Sequence, residues 1–169
     1  MDAPEYIRRQ FIPLRRLASA ALQNTTDEQF NWQPPGEANA IKTSLIHLLA
    51  AEDMAVQNVI QGKPMIWETG SWSEKVGLPY PPGRGRGWDE IRATDLRFAP
   101  VMEYAQAVWA ATDAYLAALT SDELTREVSF MGGQRPVADV LATDVVHVMG
   151  HAGDIAAIKG IQGIKGLPF

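Results

Sequence analysis

An all-α fold, a four-helix bundle with a long crossover loop between helices two and three, is what this sequence predicts, on three observations. Four segments carry apolar residues at 3.6-residue spacing, no segment shows a competing strand pattern, and the longest irregular stretch falls between the second and third helical segments, where a crossover is needed. With 169 residues, 46% of them hydrophobic, the chain is long enough for one core and short for two, so residues 1–169 read as a single domain.

Residues 4–24 form the first predicted helix. Tyr6, Ile7, Phe11, Leu14, Leu17, Ala18, Ala21 and Leu22 share one side, and Arg8, Arg9, Arg15 and Arg16 take the other, which reads as a solvated face rather than an anion or partner surface. Pro13 falls inside the pattern and is expected to kink or restart the helix. Pro34, Pro35 and Gly36 punctuate a connection over residues 25–39. The second helix is expected from Ala40 to Gln61, capped by Asn39 and stopped by Gly62. Residues 62–93 read as one long irregular link holding Trp67, Trp72, Tyr80, Trp88 and the string PPGRGRG; it is either an aromatic cover over a pocket or a connection packed on the outside. A third helix follows over Asp95–Leu119, with Thr94 as its cap and Pro100 in its first turns. Gly132 and Gly133 mark a turn, Pro136 opens the fourth helix, and Gly160 closes it after Lys159. The tail IQGIKGLPF is apolar enough to fold back on the domain.

Composition excludes several classes of function. A net charge of −5 and a pI near 5.2 give no overall attraction to nucleic acid or anionic lipid. Without cysteine there is no disulfide, no thiolate metal site and no catalytic cysteine, so any thiol chemistry must use a supplied thiol. The N-terminus lacks a signal-peptide core and no run approaches the roughly 20 apolar residues of a membrane span, which makes the cytoplasm the default location. G-x-S-x-G, P-loop and dinucleotide motifs are absent, and GRGRG has no strand before it.

The three histidines carry the chemical signal. His147 and His151, four apart, share one face of the fourth helix, and His47 belongs to the second, at the margin of its apolar arc beside Ala40, Ala50, Ala51 and Met54. On the fourth helix Val137, Val140, Val148, Ile155 and Ile158 define an apolar stripe that also contains His147, His151 and Asp144. Polar groups on a buried stripe need compensation, and a metal ion provides it. Antiparallel pairing of the second and fourth helices brings the three rings to similar heights. Asp144 suits a fourth ligand, a partner for a ring N–H, or a general base, and equally a polar residue bonded elsewhere. Asp154 and Glu52 are weaker candidates.

The segments ANAIKTSLIHLLAAEDM around His47 and VVHVMGHAGDIAAIKGIQGIKGLPF around His147 and His151, with the long intervening link and LTSDELTREV, resemble the DinB-like superfamily of metal-binding four-helix bundles. The resemblance spans most of the chain. It implies an up-down-down-up bundle, metal ligation by His47, His147 and His151, a divalent ion such as zinc or nickel, and homodimerisation. Members with known activity use low-molecular-weight thiols such as bacillithiol or mycothiol in transfer or isomerisation. Where many members have Arg-Gly-Gln after the last histidine, this chain has Ala152, Gly153 and Asp154.

The sequence thus points to a metal-dependent enzyme acting on a small molecule, in which three imidazoles leave a position for water or a thiol, Asp144 accepts a proton, and the tryptophan-rich link covers the site. The alternative is a non-catalytic metal- or ligand-binding stress-response protein, and beyond it a helical dimer without metal.

Overall fold

Helix α1 (Ala3–Leu22) starts where the Asp2 carboxylate accepts the Glu5 amide at 2.9 Å, with Pro4 in the first turn, where a missing N–H costs nothing. The structure, a computed structural model, describes residues 1–83 and 85–167. No restart occurs at Pro13, because Phe11 and Leu14 are buried on either side of it and hold the segment against its neighbours. The solvated-face reading holds for Arg9 and Arg16 but not for the whole stripe. Arg8 donates to the carbonyls of Leu116 and Leu119, and Arg15 turns inward.

The first connection contains a short helix, α2 (Asp27–Asn31), set by a capping box between Thr26 and Gln29. Its Asn31 exchanges two hydrogen bonds with the Leu96 backbone, at 2.8 and 2.9 Å. Helix α3 (Ile41–Asp53) is almost wholly buried and continues as π-helical turns over Met54–Ile60. Its cap is Ala40, not Asn39, so no side chain satisfies the first amides. Fully buried leucines such as Leu45 and Leu49 each contribute about 1.5–3 kcal/mol to holding α3 in the core.

The long link is not irregular throughout. It holds α4 (Ile66–Thr69), α5 (Trp72–Val76) and α6 (Trp88–Ala93), each too short for apolar periodicity to declare it. Helix α7 (Phe98–Ala117) starts three residues later than expected, since Thr94 ends α6 by donating to the Glu90 carbonyl instead of capping α7. After α8 (Ser121–Thr125) comes a hairpin the sequence reading missed, β1 (Glu127–Phe130) paired antiparallel with β2 (Gly133–Pro136). Its two-residue turn, Met131-Gly132, has both φ angles positive, which matches the twist of the strands. Pro136 therefore closes β2 and precedes α9 (Val137–Ile161) rather than opening it, and α9 runs past Gly160.

α1 packs along α9, and α3 packs against both α9 and α7. The buried ammonium of Lys159, near the end of α9, donates to the Gln23 carbonyl just beyond α1. That of Lys42 donates to the Thr94 carbonyl ahead of α7, and Arg126 donates to the carbonyl of Ile60 at the end of the π-helical turns. Leu167 packs on the core, as expected for the tail, whose Pro168 and Phe169 lie outside the described residues, as does Arg84 in the glycine-rich string. Among the described residues no helix is long and apolar enough to cross a membrane.

Candidate metal centre

Helices α3 and α9 bring the three histidines together. Nε2 of His147 lies 3.2 Å from Nε2 of His47 and 3.1 Å from Nε2 of His151, and one ligand atom from each ring falls within 4.8 Å of the other two. All three rings are half-buried.

Their outer nitrogens decide what the inner ones present. Nδ1 of His47 sits 3.2 Å from the Pro82 carbonyl, which can only accept, so Nδ1 carries the proton and Nε2 a lone pair. Nδ1 of His151 lies 3.1 Å from Asp154, with the same consequence. Two lone pairs thus point at His147 Nε2, which has at most one proton to give. His147 Nδ1 is buried without a partner. No assignment of neutral tautomers satisfies every contact in the cluster, whereas a cation at the convergence satisfies all three Nε2 atoms at once. Burial, the largest influence, lowers the pKa of His47, and burial followed by the neighbouring His151 and His47 lowers that of His147 to about 4. For His47 and His147 this favours the neutral imidazole, the form that ligates metal.

Asp144 is brought near but not in. It is buried and lines a cleft with His147, yet the group able to hold an ion consists of the three histidines alone among the described residues. Its Oδ2 has no partner, and burial, then the charge of Glu52, raises its pKa well above the usual carboxylate range while Arg15 opposes them. Glu52 is fully buried and occupied by Arg15, whose Nη1 donates at 2.7 Å and whose Nη2 bonds the other oxygen. The Arg15 guanidinium in turn lies over the rings of Phe11 and Trp109.

Asp53 is the buried residue that sequence reasoning passed over. It accepts the Ile66 amide at 2.8 Å, the Trp67 amide at 2.9 Å and the Tyr104 hydroxyl at 2.8 Å, thereby pinning the start of α4 to α3. The only hint was its place beside Glu52 in the stretch after His47, which is otherwise apolar up to Val56. Trp67 and Trp72 are buried members of the core rather than packed on its outside, and Trp67 also lines a cleft beside His47. Trp67 and Trp72 pack on Tyr104, whereas Trp88 sits against His47 with ring centroids 4.9 Å apart.

Two clefts reach the cluster. One, of about 510 Å3, opens at His47 between Met54, Met65, Trp67 and the segment Pro79–Gly83 with Arg86. The other, of about 670 Å3, opens at His147 and Asp144 under the tip of the hairpin, Ser129–Gly132. Ala51 and Met54 line both. Met54 opens the π-helical stretch, a distortion frequent at functional sites.

The sequence profile of the DinB superfamily matches residues 10–155. The chain belongs to the DinB superfamily. Among solved structures it is similar to a conserved protein from Enterococcus faecalis, with a TM-score of 0.80 at 16% identity, covering 96% of this chain and 99% of that one. It is also similar to a DinB-like protein from Bacillus cereus ATCC 10987, with a TM-score of 0.66 at 16% identity, covering 98% of this chain and 96% of that one. At these identities the likeness concerns the fold. No curated protein matches the chain significantly.

Proposed function

We propose that this DinB-superfamily chain is a metal-dependent enzyme of the thiol-dependent S-transferase or hydrolase type, acting on a small molecule. The observation that carries the reading is the meeting of three Nε2 atoms whose contacts no assignment of neutral tautomers reconciles. His47, His147 and His151 would hold the ion, and their all-nitrogen donor set suits zinc or nickel. When bound, such an ion supplies Lewis acidity that makes water or a low-molecular-weight thiol nucleophilic near neutral pH. Pro82 and Asp154 fix the orientation of two rings. Trp88 shields His47 from water.

Asp144 is the proton-transfer residue of this reading. Burial, then the charge of Glu52, raises its pKa and so favours the neutral carboxyl, which suits a donor where the sequence alone suggested an acceptor. Two clefts meeting at one cluster suit a transfer between two substrates better than hydrolysis of one. A non-catalytic binding protein, the other reading of the sequence, would call for a protein carboxylate completing the ligand set, and Asp144 stands outside it.

The reading includes an up-down-down-up bundle formed by α1, α3 with its π-helical extension, α7 and α9. It is supported by Arg8 at the start of α1 bonding the end of α7, Lys159 near the end of α9 bonding the residue after α1, and Arg126 ahead of α9 bonding the end of the π-helical turns. It also includes one domain and a homodimer, in keeping with the family. The reaction is tested by following loss of free thiol with bacillithiol, mycothiol and glutathione against a set of electrophiles, with added zinc or nickel. Turnover that disappears on chelation and in a His147→Ala variant is expected; no turnover with any thiol or hydrolysable ester overturns the enzymatic reading.

A further inference from the structure

The glycine-rich string that reads as a mere link is closed on itself by its described residues on either side of Arg84. Gly83 and Arg86 exchange backbone hydrogen bonds of 3.0 Å in both directions, and Gly85 and Gly87 have φ of +80° and +82°. A Cβ at Gly87 would stand 2.8 Å from Pro82 Cα and 3.1 Å from the Pro81 carbonyl, so glycine is what lets the two arms of the turn close. The same turn does two things at the 510 Å3 cleft: it offers the Pro82 carbonyl to His47, and it carries Arg86 in the cleft wall.

The Arg86 guanidinium lies over the Tyr80 ring at 4.8 Å, and the Tyr80 hydroxyl is itself fixed to Glu90 at 2.7 Å. Stacking engages the face of the guanidinium and leaves its in-plane N–H donors free for a ligand. Among the described residues no carboxylate lies within ion-pair distance of Arg86. Glu68, which shares the cleft, accepts the Met65 amide at 3.1 Å. Met54, Met65 and Trp67 supply apolar wall to the same cleft, which His47 also lines.

We propose that this cleft binds a small organic carboxylate, its anionic end on Arg86 and its apolar body on Met54, Met65 and Trp67, facing His47. The volume is that of a small-molecule site. Arg86 is the one Lys or Arg lining the cleft among the described residues, and with Glu68 nearby it suits a singly charged carboxylate better than a doubly charged phosphate ester. The proposal rests on the functional reading above for the reaction, but not for the binding step.

Binding is therefore measured without metal. Tryptophan indole N–H signals are followed by NMR in chelator-treated protein and in a His147→Ala variant, with phenylacetate, phenylacetamide and phenyl phosphate as probes. Phenylacetate is expected to bind saturably and more tightly than the other two, less tightly as salt is raised. Arg86→Ala should weaken it about tenfold or more, Arg86→Lys by less, and Arg92→Ala, outside the cleft, not at all. Equal affinity for acid and amide, preference for the phosphate, no saturable binding of phenylacetate, or an unchanged Arg86→Ala overturns the proposal. A protein that binds phenylacetate but no metal would instead overturn the metal reading and leave this one standing.

Discussion

Two polar clusters lie in the core of this protein and differ in how completely they are bonded. Asp53 accepts three hydrogen bonds and Glu52 is joined to Arg15, so the acidic pair of α3 has its partners inside the protein, and only the Arg15 Nε beside it, 4.0 Å from Asp113, lacks a hydrogen bond. The cluster of His47, His147 and His151, with Asp144 nearby, keeps an orphaned Nδ1, an orphaned Oδ2 and three nitrogens facing one another. A satisfied buried network specifies structure, whereas an unsatisfied one is tolerated where a ligand completes it. The two clusters should therefore respond in opposite ways to substitution.

The largest effect is expected at Asp53. Asp53→Ala strands a buried amide, a part-buried amide and a buried tyrosine hydroxyl and should cost about 3–5 kcal/mol in urea unfolding, without removing metal binding from the protein that folds. Next comes the ion pair. Glu52→Gln leaves the Arg15 charge uncompensated and should cost about 3 kcal/mol, while the double replacement Arg15→Met with Glu52→Leu should recover most of that loss. A double variant as unstable as the single one would show that the pair does more than neutralise itself.

The histidine cluster should behave differently in metal-free protein. His147→Ala is expected to change stability by less than the two substitutions above, because it removes the conflict among the lone pairs along with the ring. Its pH dependence has a defined sign. The folded pKa of His147, about 4, lies below the ordinary 6.5, so the unfolded chain binds the extra proton first. The resulting contribution is fully present above pH 6.5 and is lost as pH falls from 6.5 towards 4. Urea titrations across that window should show wild type losing stability more steeply than His147→Ala; parallel curves would place the acid sensitivity elsewhere. The smallest effect is expected at Asp154, which is 62% exposed in its side chain, where Asp154→Asn should weaken metal affinity by about tenfold or less.

Legibility in the sequence followed the range of the interactions involved. His147 and His151 could be paired because i, i+4 spacing on an apolar stripe is a local property, and His47 joined them through a second amphipathic helix. Asp53 could not be read because its donors come from residues 66, 67 and 104, which only the tertiary fold brings together. Arg15 looked solvated for the same reason, its partner lying on α3. The helices α4, α5 and α6 have four to six residues each, below the length at which periodicity registers. The hairpin hid because its strands have four residues and β2 buries no apolar side chain of its own.

Metal content per chain tests the central claim most directly. Protein purified without an affinity tag should carry close to one equivalent of a divalent metal by elemental analysis, and His47→Ala, His147→Ala and His151→Ala should each lose most of it while remaining folded by circular dichroism. The same metal content in wild type and all three variants would contradict the account.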